Sequence, residues 1–322
     1  MPERKSNMER NAALYDLFME AAGAVYTATS QLQARNPPPA PPLLLQLRAG
    51  LAESPGWFLA QAAEFDPEPL TVELLRVRDI YASERIVAAL LELMAGERWL
   101  ERNSSGAYHL TAFGRTILQQ RRTMRAELLE AITPLPAKQL DRLARLMQRL
   151  IAASLQSPEP PGVWCLVHSR RRAPMPAAPP LVKLMHYFDD INAFRDDAHM
   201  AAWQPFELAG YAWEAFTLIC TGEASTSAQV SIQLAHRGYS PTDYNAALEQ
   251  LVQREWLSLG SAQTYRITAA GRAAHAHAEQ LTNGYFYQPW EALTDEEIEE
   301  MYTLLCQLRD SPLEAQLPSS HA

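Results

Sequence analysis

Three cysteines in 322 residues, Cys165, Cys220 and Cys306, are odd in number and far apart. They exclude a disulfide framework and suit a reducing cytoplasm. No stretch reaches the roughly 18 uninterrupted apolar residues of a membrane span. The polar start, Met1 to Arg10, lacks the apolar core of a secretory signal. Glycine is sparse, 13 against 23 prolines, which points to helices separated by stiff breaks. Catalytic signatures are also missing: no Gly-x-x-x-x-Gly-Lys-Ser/Thr, His-Glu-x-x-His, Gly-x-Ser-x-Gly or Cys-x-x-Cys. No enzymatic activity, cofactor or metal is expected.

An apolar fraction of 48% with 20% charged residues describes a chain able to fill cores, and its length suggests two domains. Lys and Arg total 28 against 37 Asp and Glu, a net charge of −9, which argues against a generally nucleic-acid-coating surface. The balance is uneven. Residues 1–160 carry 18 basic and 18 acidic side chains, whereas residues 161–322 carry 10 and 19.

Apolar spacing predicts a helix over residues 7–35, stopped by Pro37, Pro38, Pro39, Pro41 and Pro42. A second proline-rich break at 157–180, containing Arg170, Arg171 and Arg172, reads as a linker with a short strand at 163–167. A helix over 181–202 follows, and the tail beyond Arg309 reads as frayed. Self-similarity reorganises the rest. Tyr108-His-Leu-Thr-Ala-Phe-Gly-Arg115 returns as Tyr265-Arg-Ile-Thr-Ala-Ala-Gly-Arg272, a shift of 157. Ala88-Ala-Leu90 returns as Ala246-Ala-Leu248, and Tyr81 as Tyr239, at 158. The constant offset predicts a duplication with domains at 1–156 and 181–322.

Each copy decodes as helix (57–65; 212–220), helix (70–77; 228–235), turn, third helix from near Ser83 or Ser240, and a hairpin. The hairpin strands are 98–102 with 108–111, and 255–259 with 264–268. Long helices at 135–150 and 294–307 close the copies. The expected fold class is mainly α with small β-hairpins: two tandem winged helix-turn-helix domains joined by long packing helices as a pseudo-dimer.

Glu97-Arg-Trp-Leu100, then Leu110-Thr-x-x-Gly114, then a long helix resembles the MarR-type winged-helix regulators. Trp256-Leu257 and Ile267-Thr-x-x-Gly271 repeat the pattern. The resemblance covers roughly residues 50–150 and 208–310, and it implies a DNA-binding transcriptional regulator. It also implies third helices meeting base edges and wings meeting phosphates of double-stranded DNA. On that basis Arg76, Arg78, Ser83, Arg85, Arg102 and Arg115 in copy one, and Thr242, Asn245 and Arg266 in copy two, are DNA-contact candidates. Residues 76–125 hold nine Arg and five acids, while 234–283 hold four of each, so copy one is expected to dominate.

Trp203, Trp213, Tyr285, Tyr287 and Trp290 read either as core or as the lining of a pocket for a small apolar effector. The Arg170 to Arg172 triplet reads as solvated linker or as a phosphate-tracking arm. His186, Asp189 and Asp190 share one helical face, where a solvated polar face outweighs a metal. Thr294 with Glu297 predicts a capping box, and the acids Asp295, Glu296, Glu297, Glu299 and Glu300 complement the helix dipole. The same acids could dock a basic protein partner. The alternative function is therefore a winged-helix protein–protein module that does not bind DNA.

Overall fold

The computed structural model describes residues 7–35 and 55–313. The proline run at 37–42 and the tail from 314 lie outside the described residues. The elements are α1 (Asn7–Arg35), α2 (Pro55–Ala62), α3 (Val72–Arg78), α4 (Glu84–Gly96), β1 (Leu100–Arg102), β2 (Tyr108–Leu110), α5 (Ala112–Glu130) and α6 (Ala137–Gln156). They continue with α7 (Trp164–Arg170), α8 (Pro180–Trp203), α9 (Gly210–Thr221), α10 (Ser227–Gln233), α11 (Pro241–Gln253), β3 (Leu257–Leu259), β4 (Tyr265–Ile267), α12 (Ala269–Tyr287) and α13 (Asp295–Arg309). The chain is thus mainly helical with two antiparallel hairpins in a winged helix-turn-helix arrangement.

Contacts divide it into two compact units. A helical unit comprises Met1–Pro41, Gln119–Ala198 and Asn283–Ala322, and a winged unit comprises Pro42–Leu118 and His199–Thr282. Both draw on residues before and after the 157–180 segment.

In the helical unit, Leu14, Phe18, Ala21 and Val25 of α1 form the expected apolar stripe and pack in one core with Leu143, Met147, Leu184, Phe188, Met301 and Leu305. Each large side chain so buried contributes about 1.5–3 kcal/mol. The strand expected at 163–167 is instead helix α7. The Asp197 carboxylate accepts hydrogen bonds from the Cys165 and Leu166 amides at 2.7 and 2.9 Å, capping the helix from a neighbouring element. Val-Trp-Cys-Leu-Val has strand-like residues, but a buried carboxylate at the first turn decides the conformation.

In the winged unit the three-helix-plus-hairpin order occurs twice. The hairpins align Leu100 with Leu110 and Leu257 with Ile267, and both strand pairs are shorter than the sequence suggests. The cause is the same in each. Arg98 (φ 62°) and Glu255 (φ 60°) take the left-handed conformation that ends the third helix. The next amides then reach back, Trp99 to the Met94 carbonyl and Trp256 to the Leu251 carbonyl, both at 3.0 Å or less.

The Thr-x-x-Gly signature has an equally direct explanation. Thr111 Oγ1 donates to the Arg98 carbonyl at 2.6 Å and accepts the Gly114 amide at 2.9 Å; Thr268 does the same with Glu255 and Gly271 at 2.6 and 3.0 Å. A Cβ on Gly114 or Gly271 would lie 2.2 Å from the Trp99 or Trp256 carbonyl oxygen, so only glycine fits. The second module closes over a core of Trp203, Trp213, Phe216, Tyr244 and Leu248, with the two indoles stacked at 5.8 Å.

Candidate nucleic-acid interface

Each third helix is held by its first residues. Ser83 Oγ accepts the Ile86 amide at 3.2 Å to cap α4. Ser240 and Asp243 form a reciprocal capping box on α11, with Pro241 in the first turn. The hydrogen bonds from Ser240 hold the Asp243 carboxyl below its ordinary range.

The turns preceding these two helices pack on each other. The Ser83 amide donates to the Arg237 carbonyl at 2.8 Å, and Arg85 Nη2 donates to the Gly238 carbonyl at 2.7 Å. Arg237 bridges both modules: Nη1 bonds both Asp79 carboxylate oxygens at 3.0 Å, and Nη2 bonds Glu214 at 2.7 Å. Its guanidinium also lies 5.4 Å from the Tyr81 ring centroid. Trp203 Nε1 donates to the Tyr81 hydroxyl at 3.2 Å, and the Tyr239 hydroxyl donates to the Ala82 carbonyl at 3.4 Å. Glycine permits the approach. A Cβ on Gly210 would sit 2.5 Å from the Ile80 carbonyl, and one on Gly238 would sit 2.5 Å from Ser83 Oγ.

The sequence-selected residues fall around this seam. Ser83 is 5% exposed and committed to its cap. Arg76 Nε donates to the Ala82 carbonyl at 3.2 Å. Arg78 is buried against the fully buried Glu64 at 2.9 Å. Arg102 pairs with Glu92 at 3.2 Å across the wing. Arg115 makes a two-pronged contact with Asp66 at 2.9 and 2.5 Å, which raises its pKa. Asn245 donates to Glu249 at 2.7 Å and accepts from Tyr265. Thr242 and Arg266 are exposed and have neither a side-chain hydrogen bond nor an ion pair among the described residues.

The exposed positions of the third helices include Glu84, Arg85 and Glu92 on α4, and Thr242, Asp243, Glu249 and Gln250 on α11. The winged unit as a whole carries 11 basic and 17 acidic residues. The basic window of 76–125 is divided: Arg121, Arg122 and Arg125 belong to the helical unit.

The seam residues Asp79, Arg237, Glu214 and Gly238 were not selected from sequence. A signal was present, since Asp79 and Arg237 are 158 apart, the repeat offset. Arg142 and Glu300 are also 158 apart, and they pair at 2.7 Å within the helical unit.

Of the aromatic candidates, Trp203 and Trp213 lie in the core of the winged unit. Tyr287 and Trp290 lie in the core of the helical unit, with Tyr285 packed on it. The Thr294–Glu297 capping box is present. Arg142 and Arg149 both contact Glu297, and Arg142 also holds Glu300, so these two acids are engaged within the unit. Asp295, Glu296 and Glu299 border an open groove of about 790 Å³ with Lys138. Arg170 is not an extended arm, because its guanidinium is bound to Asp190 at 2.7 Å. Among the described residues no group of three His, Cys, Asp or Glu is placed to hold a metal ion, and no helix is long and apolar enough to cross a membrane.

No curated protein and no solved structure matches this chain. A family model described as a helix-turn-helix family matches residues 82–318, most of the sequence including both third helices and both wings, and the chain belongs to that family.

Proposed function

We propose that the chain is a DNA-binding transcriptional regulator of MarR-like design, in which duplication of a winged helix has fused a dimer into one cytoplasmic chain. The observation that carries this reading is the repetition of one complete module at a constant offset. Both copies have a capped third helix, a left-handed residue after it, and a Thr-x-x-Gly latch closing the wing. Arg266 and Thr242 are the exposed donors, and Arg102 is the wing cation that would exchange Glu92 for a phosphate.

In this conformation, the start of α4 that would meet bases is bonded to the turn leading into α11, which supports a closed state. DNA binding then requires the seam at Asp79, Arg237 and Gly238 to open. The same seam favours a second reading, a winged-helix module for protein partners, because four carboxylates (Glu84, Glu92, Asp243 and Glu249) stand on the exposed helix faces.

Duplex binding measured against salt separates the two, using a pool of genomic fragments with wild type, Arg237→Ala and Arg102→Ala/Arg266→Ala. A regulator gives log K falling with log salt, tighter binding by Arg237→Ala and a shallower slope for the wing double variant. A slope near zero for wild type and Arg237→Ala alike overturns the DNA reading and leaves the protein module. A small apolar effector and a basic protein partner at Asp295 to Glu300 belong to this proposal as further ligands.

A further inference from the structure

We propose that His199, near the end of α8, is a proton-operated switch of the winged unit: as a neutral ring it fixes Trp213 in the core, and as a cation it releases it. The switch belongs to the winged unit alone and operates whether or not the chain binds DNA.

The hydrogen bonds around His199 run in one direction. Trp213 is 1% exposed, and its indole Nε1, which can only donate, gives its proton to His199 Nε2 at 3.2 Å. A ring nitrogen that accepts carries no proton, so the neutral ring bears its hydrogen on Nδ1. That nitrogen lies 3.3 Å from Thr282 Oγ1. Thr282 is fully buried, and its hydroxyl donates to the Ala278 carbonyl at 2.8 Å, which leaves its oxygen as the acceptor that Nδ1–H requires. Each proton in the relay from indole to imidazole to hydroxyl to carbonyl therefore has one position.

Protonation breaks this relay at one place. A cationic ring bears N–H groups on both nitrogens, so Nε2–H and the indole N–H become two donors 3.2 Å apart. The indole cannot reverse its role, and burial keeps it from water. The two rings have to part. The cation has its own partner, because the Glu279 carboxylate of α12 stands 3.8 Å from Nδ1. Both side chains reach solvent, so a proton has access. Histidine is the side chain whose charge ordinarily changes between about pH 5 and 8. Trp213 thus holds the neutral form and Glu279 favours the charged one.

Other charged and titratable groups belong to the elements packed here. His275 of α12 stacks on Trp213 at 5.9 Å, and His277 lies 6.5 Å from Phe206, which itself stacks on Trp213. Glu214 follows Trp213 on α9 and is held by Arg237. Arg254, after α11, donates to the Phe206 carbonyl at 2.6 Å, and Asp196 is three residues back on α8.

Release of Trp213 reaches the seam. Its ring stacks on Trp203 with centroids 5.8 Å apart, Trp203 Nε1 donates to the Tyr81 hydroxyl at 3.2 Å, and the Tyr81 ring lies 5.4 Å from the Arg237 guanidinium. Acid acts through this aromatic stack on the contact that Arg237 holds by charge.

The test follows the full-length ¹⁵N-labelled protein by NMR from pH 8 to pH 5, with the Trp213 and Trp203 indoles and the His199 ring assigned. At pH 8 His199 is expected to carry its proton on Nδ1, and the Trp213 indole signal is expected to move as the His199 ring titrates. His199→Gln offers the indole an oxygen acceptor at every pH. At pH 5 the Trp213 indole proton should therefore exchange about tenfold faster in wild type than in this variant, with equal rates at pH 8. His275→Gln is expected to titrate as wild type. A proton on Nε2 at pH 8, or a Trp213 signal that does not move down to pH 5, overturns the proposal from wild type alone, even should the variants fail to fold. Titration that persists in His199→Gln, or disappears in His275→Gln, also overturns it. A Trp213 response without faster exchange at Trp203 keeps the switch and overturns its link to the seam.

Discussion

Gly238 and Gly222 share one backbone conformation, φ 78° and 80°, but not one environment. Around Gly222 no atom of the described residues lies within 4 Å of where a Cβ would stand, whereas at Gly238 that position is 2.5 Å from Ser83 Oγ and 2.9 Å from Ile86 Cβ. Replacing each by alanine therefore separates two costs. Both variants bear the left-handed penalty of a Cβ, about 1–2 kcal/mol. Only Gly238→Ala must also displace Ser83 Oγ from the Ile86 amide, losing an N-cap of about 1 kcal/mol. It also crowds the stem of Ile86, a side chain fixed to the helix, at about 1–3 kcal/mol. The expected difference between the two variants is thus about 2–4 kcal/mol. Urea unfolding followed by tryptophan fluorescence measures it, since Trp203 and Trp213 report on the winged unit. Adding Ser83→Ala to Gly238→Ala should return part of the loss although Ser83→Ala alone is destabilising. Equal destabilisation of the two glycine variants, within about 0.5 kcal/mol, would refute the turn-to-turn packing.

Arg237→Ala leaves Asp79 and Glu214 without their shared cation and should cost about 2–4 kcal/mol. A double-mutant cycle with Asp79→Ala should show coupling above about 0.5 kcal/mol, and additive effects would remove Arg237 as the bridge. His186 is held neutral in the folded chain down to about pH 3, so acidification below its ordinary value of 6.5 protonates only the unfolded chain and lowers stability. The destabilisation caused by His186→Gln should therefore shrink by about 2 kcal/mol between pH 7 and pH 5, and a pH-independent difference would contradict the assignment. Asp190 shifts the opposite way, up to about 6 through burial, so its protonation favours the folded chain as pH falls through that value and masks the histidine in wild type. Glu255→Gly removes a left-handed non-glycine residue and should stabilise the second module by about 0.5–1 kcal/mol in the same unfolding assay, whereas a loss would show that the Glu255 side chain compensates its strain.

Helix positions were legible because apolar spacing reports burial directly: Leu14, Phe18, Ala21 and Val25 could face only one core. The wing latch was legible as a pattern before it was legible as geometry, since Thr111 and Gly114 recur as Thr268 and Gly271. Helix α7 was not legible, because the carboxylate that caps it comes from Asp197, 31 residues or more along the chain. Nor was the fate of the arginines. Arg85 and Arg76 bind carbonyl oxygens of Gly238 and Ala82, and backbone acceptors leave no trace in residue identity. The same side chains at the same spacing suit a phosphate, so sequence could count cations but not say which were already engaged. The net positive window also crosses from one compact unit to the other: the division falls between residues 118 and 119, so Arg121, Arg122 and Arg125 are counted with the helical unit.

The seam also constrains any regulatory scheme. Winged helices that read adjacent turns of a duplex need their third helices about 34 Å apart. Here the first residues of α4 bond directly to the turn before α11, with Ser83 to Arg237 at 2.8 Å. For the regulator proposed above, this arrangement and two-site reading exclude each other, so its duplex affinity would be linked to opening. If the seam contributes about 3 kcal/mol, fewer than roughly 1 chain in 100 is open, and the apparent affinity for DNA is reduced by the same factor. A ligand can relieve that reduction only in proportion to its preference for the open form. Weak binding by the isolated wild-type protein is therefore what a closed regulator should show. The contrast between wild type and Arg237→Ala carries the information that wild-type affinity alone does not.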